Sequence, residues 1–228
     1  MMGYQSIGAY FSYRLCIWYL VGWILISLTG SMFHFTYQWS GCNWAVGLLV
    51  AVNESVFEHV KILVLPILLF WFIGCIISIV WFRYRVIYCI AEYVIAANTA
   101  VYSGVFFLIV VYLVVSVGIG YDSLWFDILL FVLSAFVSQI TGALFLWLIQ
   151  THNLCTLCAP VSAVTLILAV VCHMLFTDSP PNIPVIFKDH RGFYGRPAAC
   201  YGLDQANTTT SFQTTVRPTT TPFANQTT

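Results

Sequence analysis

Ile62-Leu63-Val64-Leu65-Pro66-Ile67-Leu68-Leu69-Phe70-Trp71-Phe72-Ile73-Gly74-Cys75-Ile76-Ile77-Ser78-Ile79-Val80-Trp81-Phe82 contains no charged side chain. A helix rises about 1.5 Å per residue, so this run is long enough to cross a hydrocarbon core of roughly 30 Å. The stretch is apolar without a break and shows none of the alternation that a membrane β-strand needs. It reads as a transmembrane helix, and the chain repeats the pattern on both sides. Further apolar runs extend from about Leu15 to Tyr37, from Ala100 to Gly118, from Leu124 to Ile149 and from Ala159 to Phe176, while the quoted run itself begins near Phe57. The lead-in from Val86 to the third span is too short for two crossings and a turn, so Val86 to Gly120 reads as one long or tilted helix. Arg14 and Gly30-Ser31 resemble signal-peptide features, but the apolar run continues through Phe33, Phe35 and Tyr37, which predicts a retained signal anchor. The expected fold is an all-α, polytopic transmembrane bundle of about five spans.

Composition agrees. Of 228 residues, 61% are hydrophobic and 7% charged, and the mean hydropathy is +0.91. Soluble domains carry about 25% charged residues, so a soluble globular domain and a disordered chain are both excluded. Eight Lys+Arg against eight Asp+Glu leave no basic field for phosphates, which excludes a nucleic-acid binder. The expected partner is the lipid bilayer, with a homo-oligomer or another membrane protein as further candidates.

Four segments follow: an N-terminal segment (1–14), the membrane domain (15–177), a Pro-rich juxtamembrane segment (178–200) and a Thr-rich disordered tail (201–228). From Asn207 to Thr228, ten of 22 residues are Thr, and Asn207 and Asn225 each begin an N-glycosylation sequon. Basic residues do not orient the bundle, because Arg14, Arg83 and Arg85 fall on one side and Lys61, Lys188, Arg191 and Arg196 on the other. The sequons predict a luminal or extracellular tail and a cytosolic N-terminus, as an odd number of spans requires. The Pro-rich stretch from Asp178 to His190 cannot be helical for long and should lie across the same membrane face as the tail.

Five spans place eight cysteines. Cys16, Cys75, Cys89 and Cys172 fall in or beside spans and read as small apolar fillers. Cys42 and Cys200 share one side and are candidates for a disulfide. Cys155 and Cys158 form a C-x-x-C in the turn between spans four and five, near His152; with no second such pair, the structural reading leads over a redox, metal or lipidation site.

Charged groups near hydrocarbon are costly, so each is a candidate functional residue. Five spans collect His34, Glu54, Glu58, His59, Lys61, Asp122, Asp127 and His173 on the face opposite the N-terminus, and leave Glu92 and His152 on the other. The densest stretch is Asn53-Glu54-Ser55-Val56-Phe57-Glu58-His59-Val60-Lys61. On a helix, Glu54, Glu58 and Lys61 share one stripe and Ser55 and His59 the next. Ser55-x-x-Glu58 also fits a capping box, so Asn53, Ser55 and Lys61 have a structural reading as cap and helix-end residues. Imidazole with carboxylate suits zinc, which names His34, His59 and His173 as metal-ligand candidates and Glu54, Glu58 and Asp127 as ligand or general base. The His-Glu-x-x-His motif is absent. The same groups could serve a proton or ion pathway, or bind one another and fix helix register.

His34-Phe35-x-Tyr37-x-x-Ser40-Gly41, the Asn53-to-Lys61 stretch and Pro66 resemble the signature of a small, mainly bacterial multi-span membrane family catalogued as a domain of unknown function. Pro180-Pro181-x-x-Pro184, Lys188-Asp189 and Tyr194-Gly195 resemble its C-terminal end. Phe57 stands where that pattern has Trp, and the Thr-rich tail has no counterpart. The resemblance implies a compact helical membrane protein and directs attention to Asn53, Glu54, Glu58, His59 and Lys61. Three function classes follow for testing: a metal-dependent membrane hydrolase, a small proton- or ion-coupled transporter, and a non-catalytic scaffold or surface glycoprotein.

Overall fold

A computed structural model describes residues 2–82, 86–121, 123–152, 158–189, 192 and 194–197. The described residues form α1 (Met2–Trp39), the short α2 (Trp44–Gly47), α3 (Val56–Phe82), α4 (Val86–Tyr112), α5 (Leu124–His152), α6 (Ala159–Asp178) and the short α7 (Pro184–Phe187). A π-helical segment, Leu113–Ile119, prolongs α4 and ends at Gly120 in the left-handed region. Five helices are long and apolar enough to cross a membrane, and α4 with its π extension makes one of them, Val86–Ile119. The protein is therefore an integral, multi-pass helical membrane protein. Asp122, Arg83, Arg85, His190, Arg191, Cys155, Cys200, Asn207 and Asn225 lie outside the described residues or segments.

Lipid tails are as apolar as Leu, so burying apolar surface does not hold membrane helices together; close backbone approach and interhelical hydrogen bonds do. The α4–α5 contact shows both. A Cβ on Gly104 would lie 2.9 Å from Ser138 Cβ, and one on Gly142 would lie 2.9 Å from Ala100 Cβ and run into the Trp71 ring. Ser103 and Thr141 share a hydrogen bond across this seam. Elsewhere the Trp23 indole of α1 donates to Val132 O of α5 at 3.0 Å, and Thr165 of α6 donates to Asn98 of α4 at 2.7 Å.

Pro66 sits inside α3. It has no N–H to offer the carbonyl of Ile62, four residues back. Gly30 of α1 packs against that carbonyl, where a Cβ would stand 2.9 Å from Ile62 O. The break in the ladder and the small residue thus meet at one contact between α1 and α3. The core centres on α3, whose most apolar window is 44% buried, against 6% for α6.

Candidate functional site

The chain enters α3 through Asn53, Glu54 and Ser55. Asn53 Oδ1 accepts from Ser55 N at 2.8 Å, an Asx turn that shapes the approach. Ser55 caps the helix: its carbonyl accepts from Glu58 N at 3.1 Å and His59 N at 3.2 Å, and its hydroxyl lies 3.4 Å from Glu58 N. Only half of the expected capping box forms. Ser55 N is taken by Asn53, and the Glu58 carboxylate turns away into the bundle. Because α3 begins at Val56, Glu54 precedes the helix and does not share the stripe of Glu58 and Lys61.

Two polar groups result. The first is closed. Lys61 Nζ lies 2.7 Å from Glu58 Oε2, with the side chains 3% and 1% exposed. The ammonium also donates to Gly47 O at 2.8 Å and to Thr177 Oγ1 at 2.9 Å, so its three hydrogens all have acceptors. Glu58 Oε2 additionally accepts from Val52 N at 3.1 Å.

The C-terminal segment fastens onto this group. Asn53 Nδ2 donates to Gly195 O at 2.7 Å. Gly195 has φ +63°, and a Cβ there would lie 2.7 Å from Thr177 O, so no side chain fits. Arg196 N donates to Thr177 O at 3.1 Å, its Nε lies 2.8 Å from Asp178 Oδ1, and its Nη1 donates to Trp44 O at 3.1 Å. The Trp44 indole donates to Asp178 Oδ2 at 3.1 Å. The Arg196 guanidinium also sits 5.8 Å from the Tyr37 ring centroid. Phe187 of α7 packs on Phe57 with ring centroids 4.7 Å apart, so the Pro-rich segment does lie against the start of α3.

The second group is half open. His34 Nε2 of α1 lies 3.3 Å from Glu54 Oε1, with the side chains 24% and 34% exposed. His59 Nε2 lies 4.0 Å from Glu54 Oε2. One ligand atom from each of His34, Glu54 and His59 falls within 4.8 Å of the others. His59 Nδ1 is 2.9 Å from Ser55 O. Donation to that carbonyl puts the proton on Nδ1 and leaves the Nε2 lone pair facing Glu54 and His34, the orientation that a metal-binding imidazole needs.

The remaining candidates separate from this cluster. His173 stacks on Phe57 with centroids 5.2 Å apart, its Nδ1 meets Ala169 O of its own helix, and it is not among the clustered ligand atoms. Glu58 is committed to Lys61. Asp127 lies in the first turn of α5 and is not among the clustered ligand atoms. Glu92, on the other face, accepts from Gln150 at 3.0 Å. Cys42 is disulfide-bonded; Cys75, Cys89, Cys158 and Cys172 are free thiols. Sequence reasoning did not single out Gly47, Thr177, Asp178, Trp44 and Arg196 as partners of the closed group. Only Gly195 carried a signal, as part of the Tyr194-Gly195 ending.

Comparison with curated proteins and with solved structures finds no match. The model of DUF6512, a family of unknown function, matches residues 11–196, and the chain, whose closed polar group and C-terminal clasp both lie within that range, belongs to this family.

Proposed function

We propose that this protein is a metal-dependent membrane hydrolase, with zinc held by His34, Glu54 and His59 and an amphiphile, such as a lipid ester, as substrate. The observation that carries the reading is the convergence of two imidazoles and one carboxylate within 4.8 Å. Two His and one carboxylate form a donor set that catalytic zinc uses, with the fourth position left to water. Bound zinc supplies a water acidified to near neutrality and polarises a carbonyl. The chain's own residues do the rest. Ser55 O orients His59, and partial exposure gives substrate access from the membrane face. Asp127, in the first turn of α5, would be the general-base candidate. Glu58 has no part in this chemistry, because its carboxylate is engaged by Lys61 and Val52 N.

The test is metal content in detergent-purified protein incubated with zinc and then desalted. The expected result is about one zinc per chain, falling to background in His59→Ala and in Glu54→Gln, with chelator-sensitive cleavage of a fluorescent acyl ester in vesicles. A folded protein that retains no zinc, or zinc retention that neither substitution changes, overturns the reading.

The same reading places this face outside the cytosol and the N-terminus inside. A disulfide at Cys42 is at home in an oxidising compartment, and glycosylation at Asn207 and Asn225 would require the same side. Cys200 is the proposed partner of Cys42. A Cys42–Cys200 linked peptide under non-reducing conditions is expected, and its replacement by another pairing would refute this assignment.

A further inference from the structure

Two thiols that the proposed zinc site does not use lie near the far end of α3. Cys75 Sγ of α3 and Cys89 Sγ of α4 are 3.9 Å apart. Both are free, Cys89 fully buried and Cys75 partly exposed. Gly74 permits this approach, since a Cβ there would already stand 3.2 Å from the Tyr93 ring. One turn on, Ser78 Oγ and Tyr93 OH share a 2.6 Å hydrogen bond. Contacts of Tyr93 with Gly74 and Ser78, which flank Cys75 on α3, therefore help to hold the register of the two helices. A disulfide needs an S–S distance of about 2.05 Å. The sulfurs must close by about 1.9 Å for the bond to form.

We propose that Cys75 and Cys89 form a reversible dithiol–disulfide site that staples α3 to α4, with a hydroperoxide as oxidant. Cys75 is the accessible thiol. Its sulfur attacks the terminal peroxide oxygen; an S–O bond forms, the O–O bond breaks, and the thiol proton leaves with the departing oxygen as water or an alcohol. The Cys89 sulfur then displaces the sulfenic oxygen, which departs as water with the thiol proton. Two electrons pass from the sulfur pair to the peroxide, and a dithiol reductant reverses the step. The site is independent of metal binding at the other end of α3.

The experiment uses full-length protein in vesicles, hydrogen peroxide as the probe, and peptide mapping after thiol blocking. Exposed Cys158 is the internal standard. At a dose that oxidises about half of Cys158, the expected product is a linked peptide containing Cys75 and Cys89, lighter by two hydrogens than the separate peptides. Dithiothreitol should restore both thiols, and Cys75→Ser or Cys89→Ser should abolish the link. Recovery of both as free thiols at a dose that has consumed Cys158 would overturn the proposal. Oxidation of each to sulfinic acid without linkage would do the same.

Discussion

Glu54 and Glu58 stand four residues apart and lead opposite lives. Glu58 is sealed in the bundle with Lys61, at 1% and 3% exposure. Glu54 and its two histidines keep 24% to 34% of their side chains accessible. The closed group saturates its ammonium with three acceptors, and one carboxylate oxygen also holds a backbone N–H. The open group brings two imidazoles and one carboxylate within 4.8 Å of one another at partial exposure. The start of α3 makes the difference: Glu54 precedes the helix, whereas Glu58 lies inside it. Within the helix successive residues turn by about 100°, so Glu58 points inward while His59 turns to meet His34 of α1. A buried ion pair organises structure, whereas the half-open cluster beside it is where chemistry has room.

The largest effect should come from breaking the closed group on one side only. Glu58→Ala strands a buried ammonium and should cost about 3–5 kcal/mol, read as lost thermal stability in detergent. Replacing both partners with apolar residues, Glu58→Leu with Lys61→Met, should recover more than half of that loss. If the double replacement is as damaging as the single one, the pair contributes more than mutual neutralisation. Next comes Gly195→Ala, which places a Cβ against Thr177 O in a left-handed backbone; about 1–3 kcal/mol is expected, measurable by the same melt.

Smaller again is Asn53→Ala. It removes the hydrogen bond to Gly195 O and the one from Ser55 N, at about 1–2 kcal/mol. The clearest sign should be faster proteolysis within the C-terminal segment. The smallest stability effect is expected at the open group. His59→Ala should change stability by about 1 kcal/mol or less while abolishing zinc retention. A large loss of stability there would erase the contrast and return His59 to the structural frame.

Continuous apolar runs made the spans legible in the sequence, including the single long crossing from Val86, because burial in lipid demands length and apolarity and little else. The polar face was legible too, since charge next to such runs is rare. The partition within that face was not. The i, i+4 reading assigned Glu54 to the stripe of Glu58 because the start of α3 depends on which residue caps it, and Asn53 took the Ser55 N–H that a capping box would have given to Glu58. His173 belonged with His34 and His59 by membrane side, but side says nothing of azimuth, and its ring stacks on Phe57. The clasp was hidden for a different reason: Gly47, Thr177 and Gly195 contribute backbone atoms and one hydroxyl, which leave little trace in composition.

The bond between Asn53 and Gly195 spans 142 residues of chain. A ribosome adds roughly 5–20 residues per second, so α3 emerges on the order of ten seconds before its last partner exists. During that interval Lys61 lacks Thr177, and the second span must wait with an ammonium one hydrogen bond short near its end. Completion of the closed group therefore reports that the fifth span has arrived. A chain stalled or truncated before Thr177 would hold an ammonium with one unmet hydrogen bond at the membrane, a defect open to a quality-control protease.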